Sequence, residues 1–142
     1  MAVTSESTTL WHGDLATGSG QTTLDSSGGF VGLPMSWAAR TNGIAGKSNP
    51  EELLGAAHSA CFSMQFAHLL ASNGTPPEHI QVTAAVTFEP GPGITGSHLL
   101  VSAKVPGISE KDFERIADEA KATCPVSLAL SGTSITLEAS LA

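Results

Sequence analysis

The chain has 142 residues, six Lys+Arg against thirteen Asp+Glu for a net charge of −7, and two cysteines. That length is one domain's worth, able to bury roughly 68–70% of its unfolded surface without metals or bridges. The acidic balance, with no Lys/Arg cluster, argues against a nucleic-acid partner, and no apolar run reaches the ~18–20 residues of a bilayer crossing.

In chain order, "TTLWHGDLATGSGQTTLD" sets short β-prone runs around a Gly/Ser turn and predicts a hairpin. "SSGGFVGLPMSWAARTNGIAGKS" holds one or two strand-like pieces and ends in a predicted loop from Thr41 to Ser48, with Arg40 at its edge. Asn49 as N-cap, Pro50 at the first helical position and Glu52 three residues past the cap start a helix. It is predicted to run to about Ser72, where "NGTPP" stops it. Ile80, Val82, Ala84, Val86 and Phe88 alternate onto one face, as do Leu99, Val101, Ala103 and Val105 beyond "PGPGITG", which predicts an antiparallel hairpin. Ser109 and Asp112 cap a second helix whose apolar stripe, Phe113, Ile116, Ala117, Ala120 and Cys124, ends on a thiol. Pro125 ends or kinks that helix at Cys124 and opens a fresh turn in "VSLAL". "TSITLEASL" closes the chain as a strand through Ile135, Leu137, Ala139 and Leu141. Strands before and after helices, without βαβ alternation, indicate an α+β fold with antiparallel sheet.

One domain over residues 1–142 is expected, with no nucleic acid and no membrane, and the polar start "MAVTSESTT" lacks the marks of a signal peptide. A cytoplasmic location follows as an expectation. There two cysteines stay reduced, which favours a catalytic or redox-sensing pair over a structural disulfide. Cys61 has two readings: a buried small hydrophobe, or a reactive thiol in an electropositive and partly open setting. Cys124 weighs toward the second, because it lies beside a proline at a helix junction where free N–H groups and the helix dipole favour a thiolate. Of the two arginines, Arg115 has Lys111 four residues before it and Glu119 four after, as in a solvated surface pair. Arg40 remains as the cation for a thiol, with an exposed loop charge as its plain alternative. Glu52 is explained by the helix cap; Glu51 is not needed there and is available to hold Arg40 in a bidentate pair.

Ten helical residues, ~15 Å at a rise of about 1.5 Å each, separate Glu51 from Cys61, so the two cannot touch within one straight helix. Two copies of the helix packed antiparallel about a two-fold axis near Gly55, Ala56, Ala57, Ser59 and Ala60 would bring them together across a dimer. A pre-helical loop that folds Glu51 back is the other route. His58 and His68 flank Cys61, but C-x-x-C and H-x-x-x-H spacings are absent, so His58 reads as packed or hydrogen-bonded rather than as a zinc ligand. Met64 and Phe66 read as core or as pocket lining, with Met64 a candidate for substrate contact.

The stretches "WHGDLATGSG", "NPEELLGAAHSACFSM", "VPGI" and "AKATCPVSLAL", in order from residue 11 to 130, resemble the OsmC/Ohr family of thiol-dependent hydroperoxide reductases, and within it the OsmC branch. The resemblance implies an OsmC-like α+β fold, antiparallel sheets with long central helices in an intertwined homodimer. It implies a peroxidatic Cys61, a resolving Cys124, and an Arg–Glu pair that falls on Arg40 and Glu51. The chemistry implied is reduction of an organic hydroperoxide, with hydrogen peroxide as a further substrate, through a Cys61 sulfenic acid and a Cys61–Cys124 disulfide. An external dithiol, lipoyl-type or other, recycles the disulfide, and no cofactor or metal is called for. Phe62, Met64 and Phe66 as apolar neighbours favour organic over hydrogen peroxide. A non-turnover redox-sensing or lipid-binding dimer is the alternative that uses the same cysteines, and an inert structural pair is the third reading.

Overall fold

Six strands and four helices make the α+β fold expected from the sequence, described for residues 1–142 by a computed structural model. They fall into two units, Met1–Leu53 and Leu54–Ala142.

In the first unit, β1 (Ser7–His12) and β2 (Ser19–Leu24) form the predicted antiparallel hairpin, with Trp11 opposite Gly20. Glycine leaves room there for the indole: a Cβ on Gly20 would sit 2.7 Å from the Trp11 ring, which would have to shift. β3 (Leu33–Met35) adds antiparallel to β2. A short helix, α1 (Trp37–Asn42), then takes the first two residues of the stretch expected to be loop. Its cap was hidden in a Gly/Ser-rich run: the Ser36 hydroxyl accepts from the Ala39 N–H at 3.1 Å, and Gly43, with a φ of 71°, ends the helix. An isolated parallel bridge joins Met35 to Ser48.

The long helix α2 (Pro50–Ser72) starts and stops as predicted. Asn49 Oδ1 accepts from the Glu52 N–H at 2.8 Å, while the Glu52 carboxylate takes the Ser48 hydroxyl at 2.7 Å. Within the second unit its inward residues, Gly55, His58, Phe62, Phe66 and Leu70, recur every three or four positions. Gly55 lies so close to β4 (His79–Glu89) that a Cβ would come 2.9 Å from the Ala84 carbonyl oxygen. Its smallness therefore serves packing within the chain. Ala56, Ala57, Ala60 and Met64 point outward as an exposed apolar stripe, Met64 at 73% exposure.

β4 pairs antiparallel with β5 (Gly93–Lys104), and the turn is tighter than predicted, Glu89 already facing Gly93. β6 (Ser134–Leu141) lies on the other side of β5 but runs parallel to it. That corrects the all-antiparallel expectation. The reason is α3 (Glu110–Thr123) with α4 (Pro125–Ala129): these helices carry the chain back before β6 begins, and a single crossover does not register as βαβ alternation. β5 thus becomes the central strand, and its Leu99, Val101 and Ala103 are buried with Phe62, Phe66 and Leu70 of α2 and Phe113, Ile116, Ala117 and Ala120 of α3. Phe66 stands at the middle, 5.4 Å between ring centroids from Phe62 and 5.5 Å, edge-on, from Phe113. Each such buried side chain contributes ~1.5–3 kcal/mol. No helix is long and apolar enough to cross a membrane.

Candidate active site

The four residues singled out in the sequence fall into two pairs, one in each unit. In the first unit, α1 ends on a basic turn and α2 begins on an acidic one, so Arg40 and Glu51 face each other from the two helix termini. Arg40 Nη2 donates to Glu51 Oε1 at 2.7 Å, and Nε donates to Oε1 at 3.0 Å and to Oε2 at 3.3 Å. The Glu51 side chain is nearly sealed at 7% exposure, whereas Arg40 keeps 28%. The guanidinium is therefore oriented by a buried carboxylate and stays partly exposed. Arg40 lines a cleft of about 350 Å³ whose walls include Trp11, Leu15, Met35, Trp37 and Leu53. Its walls are mostly apolar around that one cation. Arg115, by contrast, is the solvated pair its spacing predicted, 3.3 Å from Asp112 and 4.0 Å from Glu119.

The second unit brings Cys61 and Cys124 together. Both are free thiols, Cys124 wholly buried and Cys61 partly open. Cys124 is at once the C-cap of α3 and the residue before Pro125, the first residue of α4. The break forced by proline points its side chain inward. Cys61 packs against the cluster that contains Cys124, and the two thiols lie close enough to perturb each other, with the backbone N–H of Val126 near the Cys61 sulfur. Burial pushes the Cys61 thiol up from its ordinary range, and the neighbouring Cys124 thiol and the charge on it push the same way. Only the Val126 N–H pulls it down. The free N–H groups of the helix junction were expected to act on Cys124; the structure gives one of them to Cys61 instead. The first turn of any helix leaves such donors open, so the signal was legible, but not which sulfur it would reach.

Phe66 is core, the first of the two readings it was given, and Phe62 is core beside it, whereas Met64 lies on the opposite, outward face of α2. His58, one turn before Cys61, is fully buried and hydrogen-bonded at both ring nitrogens: Nδ1 to Ser97 Oγ at 2.7 Å and Nε2 to Ser127 Oγ at 2.8 Å. Burial holds its pKa below the ordinary imidazole value, so the ring is neutral. Two hydroxyls suit a neutral ring, one accepting its N–H and the other donating to its bare nitrogen. Neither serine carried a signal in the sequence, because each lies far along the chain and marks no motif.

The family model described as OsmC-like protein matches residues 43–140. The chain is 41% identical over 123 residues to the peroxiredoxin OsmC of Escherichia coli (strain K12), a match that covers 84% of this chain and 85% of that protein. Among solved structures, an organic hydroperoxide resistance protein OsmC from Legionella pneumophila superposes with a TM-score of 0.71 at 24% identity, covering 99% of this chain and 98% of the other. The organic hydroperoxide resistance protein OhrB of Bacillus subtilis does so with a TM-score of 0.69 at 22% identity, over 97% and 98%. Likeness at that level of identity is a likeness of fold.

Proposed function

The chain belongs to the OsmC-like protein family, and from that premise we propose that this thiol-dependent peroxidase reduces organic hydroperoxides by way of Cys61 and Cys124. The observation that carries the reading is the meeting of two thiols 63 positions apart in sequence, one partly open and one sealed behind it. The Cys61 thiolate attacks one peroxide oxygen; the O–O bond breaks, the alkoxide takes a proton and leaves as alcohol, and the sulfur becomes a sulfenic acid. The Cys124 sulfur then attacks the Cys61 sulfur, the S–O bond breaks, and water leaves as the disulfide forms. Two electrons have passed from the cysteines to the peroxide. An external dithiol, lipoyl-type or other, returns them, and the protein works without a bound cofactor in the cytoplasm.

Arg40 supplies the positive charge that a peroxidatic thiolate needs, and Glu51 aims it. The exposed apolar stripe of Ala56, Ala57, Ala60 and Met64 supports an isologous homodimer built on α2, in which Arg40 and Glu51 of one protomer approach Cys61 of the other. The two units act as one OsmC-like domain over residues 1–142. The apolar walls around Arg40 favour an organic body on the peroxide over hydrogen peroxide. One observation favours a second reading, a stoichiometric redox sensor: burial raises the Cys61 thiol, which slows a nucleophile until a cation joins it.

Turnover of cumene hydroperoxide with excess dithiol separates the two, since an enzyme consumes many equivalents and a sensor about one. Peptide mapping after one equivalent of peroxide is expected to return the Cys61–Cys124 disulfide. Cys61→Ser is expected to abolish turnover, and Cys124→Ser to accumulate a sulfenic acid that dimedone traps at Cys61. Failure to trap any in that second variant would sink the assigned roles.

A further inference from the structure

Resting on that reading, we propose that His58 is a positioning residue for the resolving step: through Ser127 it holds α4 so that Cys124 stays aligned with Cys61. The geometry forms a closed ring. His58 and Cys61 lie one turn apart on α2; His58 Nε2 meets the Ser127 hydroxyl at 2.8 Å; Ser127 lies on α4, three residues from Cys124; and Cys124 belongs to the buried cluster against which Cys61 packs. The other ring nitrogen, at 2.7 Å from Ser97 Oγ, ties the same imidazole to the central strand β5.

This clamp has work to do because α4 cannot hold itself. A helix of five residues is far below the ~12–15 residues at which an isolated helix becomes even marginal in water. The Cys124 side chain does not cap its first turn, its Leu128 is exposed, and Ser127 is its one buried residue. The bond from His58 therefore reaches α4 at the point where it enters the interior. On oxidation of Cys61 the disulfide must form before the sulfenic acid escapes, and the attack of Cys124 is sensitive to displacement: a shift of about 1 Å can cost on the order of 100-fold in rate. Two neutral hydrogen bonds that share one ring give a rigid anchor without a charge to perturb the sulfurs.

Ser127→Ala removes the leg to α4, and Ser127→Thr puts the hydroxyl back. The full chain is oxidised with one equivalent of cumene hydroperoxide, and two rates are followed in one stopped-flow and quench series: loss of the Cys61 thiol, and appearance of the Cys61–Cys124 disulfide. The expected result is that Ser127→Ala lowers the ratio of the second rate to the first about tenfold, the scale of one well-made hydrogen bond. Ser127→Thr recovers the ratio. Ser97→Ala, which leaves the α4 leg in place, lowers it less. A role in stability alone moves the melting temperature without moving that ratio. An unchanged ratio in folded Ser127→Ala overturns the inference while leaving the peroxidase reading intact; a parent protein that forms no disulfide at all overturns the reading beneath it. Should Ser127→Ala not fold, His58→Phe, which keeps a ring in place and removes both nitrogens, gives the same decision.

Discussion

The two units hold themselves together by different means. Leu54–Ala142 packs twelve buried apolar residues into one cluster, whereas Met1–Leu53 buries only Met35 and Ala39 and leaves Leu10, Trp11, Leu15, Val31 and Ile44 substantially exposed. In place of a core the first unit has polar ties: the Thr9 and Thr22 hydroxyls at 2.7 Å, Ser48 on Glu52, and Arg40 on Glu51. Apolar burial is non-directional and scales with area, so it sustains a fold; hydrogen bonds and ion pairs contribute less net energy but specify direction. The unit that holds the thiols is thus built for rigidity. The unit that holds the guanidinium is built to aim it, and its uncovered apolar surface fits the proposed dimer.

The largest expected effect tests that contrast directly. Phe66→Ala removes the ring at the centre of the second core and should cost ~3–5 kcal/mol by urea denaturation. Leu10→Ala, on β1 where all six residues are exposed, should stay within about 0.5 kcal/mol if that strand faces water. A loss at Leu10 approaching that at Phe66 would mean that β1 is covered in solution, and sedimentation of the same variant would then show weakened self-association. Next in size is Glu51→Gln. Breaking a buried ion pair costs about 3–5 kcal/mol, and the partial exposure of Arg40 reduces this to roughly 2–3. Peroxide turnover should fall further than stability does, because Arg40 loses its orientation. Gly55→Ala follows: its methyl would press on the Ala84 carbonyl, backbone that cannot swing aside, for ~1–3 kcal/mol of overpacking. Ala57→Gly on the outward face has no such contact to relieve, so its cost is limited to helix propensity, about 1 kcal/mol.

Much of this was legible where local chemistry decides the outcome. Asn49, Pro50 and Glu52 mark the start of α2, Pro125 marks the break that presents Cys124, and period-two patterns mark β4 and β5. Arg40 and Glu51 were matched by asking which cation and which carboxylate lacked another task, and the two side chains do meet. Long-range partners were less legible. The parallel placement of β6 depends on where a crossover returns the chain, and α1 depends on one serine cap within a stretch that otherwise reads as loop. For the aromatic residues beside Cys61 the sequence left core and pocket lining both open, and helix geometry decides between them. Side chains one residue apart on a helix point about 100° away from each other, so Phe62 enters the core while Cys61 does not.

The smallest expected effect concerns a single proton. Glu51 is the buried charge of the first unit; His58 is the buried titratable ring of the second, flanked by Ser97 and Ser127 and kept neutral by burial. In the unfolded chain the same ring titrates near its ordinary value of about 6.5, and in the folded chain at a lower pH. Between those two values the unfolded state binds a proton that the folded state refuses, so stability rises with pH there and is lost as pH falls below about 6.5. One proton bounds the slope at about 1.4 kcal/mol per pH unit, and once the folded ring also protonates the loss levels off. His58→Gln has nothing to titrate, so its stability profile between pH 7 and pH 5, measured by urea denaturation, should be flatter than the parent's. Parallel profiles would place the ring's proton in the folded state as well, and with it a positive charge beside the thiols that the present geometry has no counter-ion to balance.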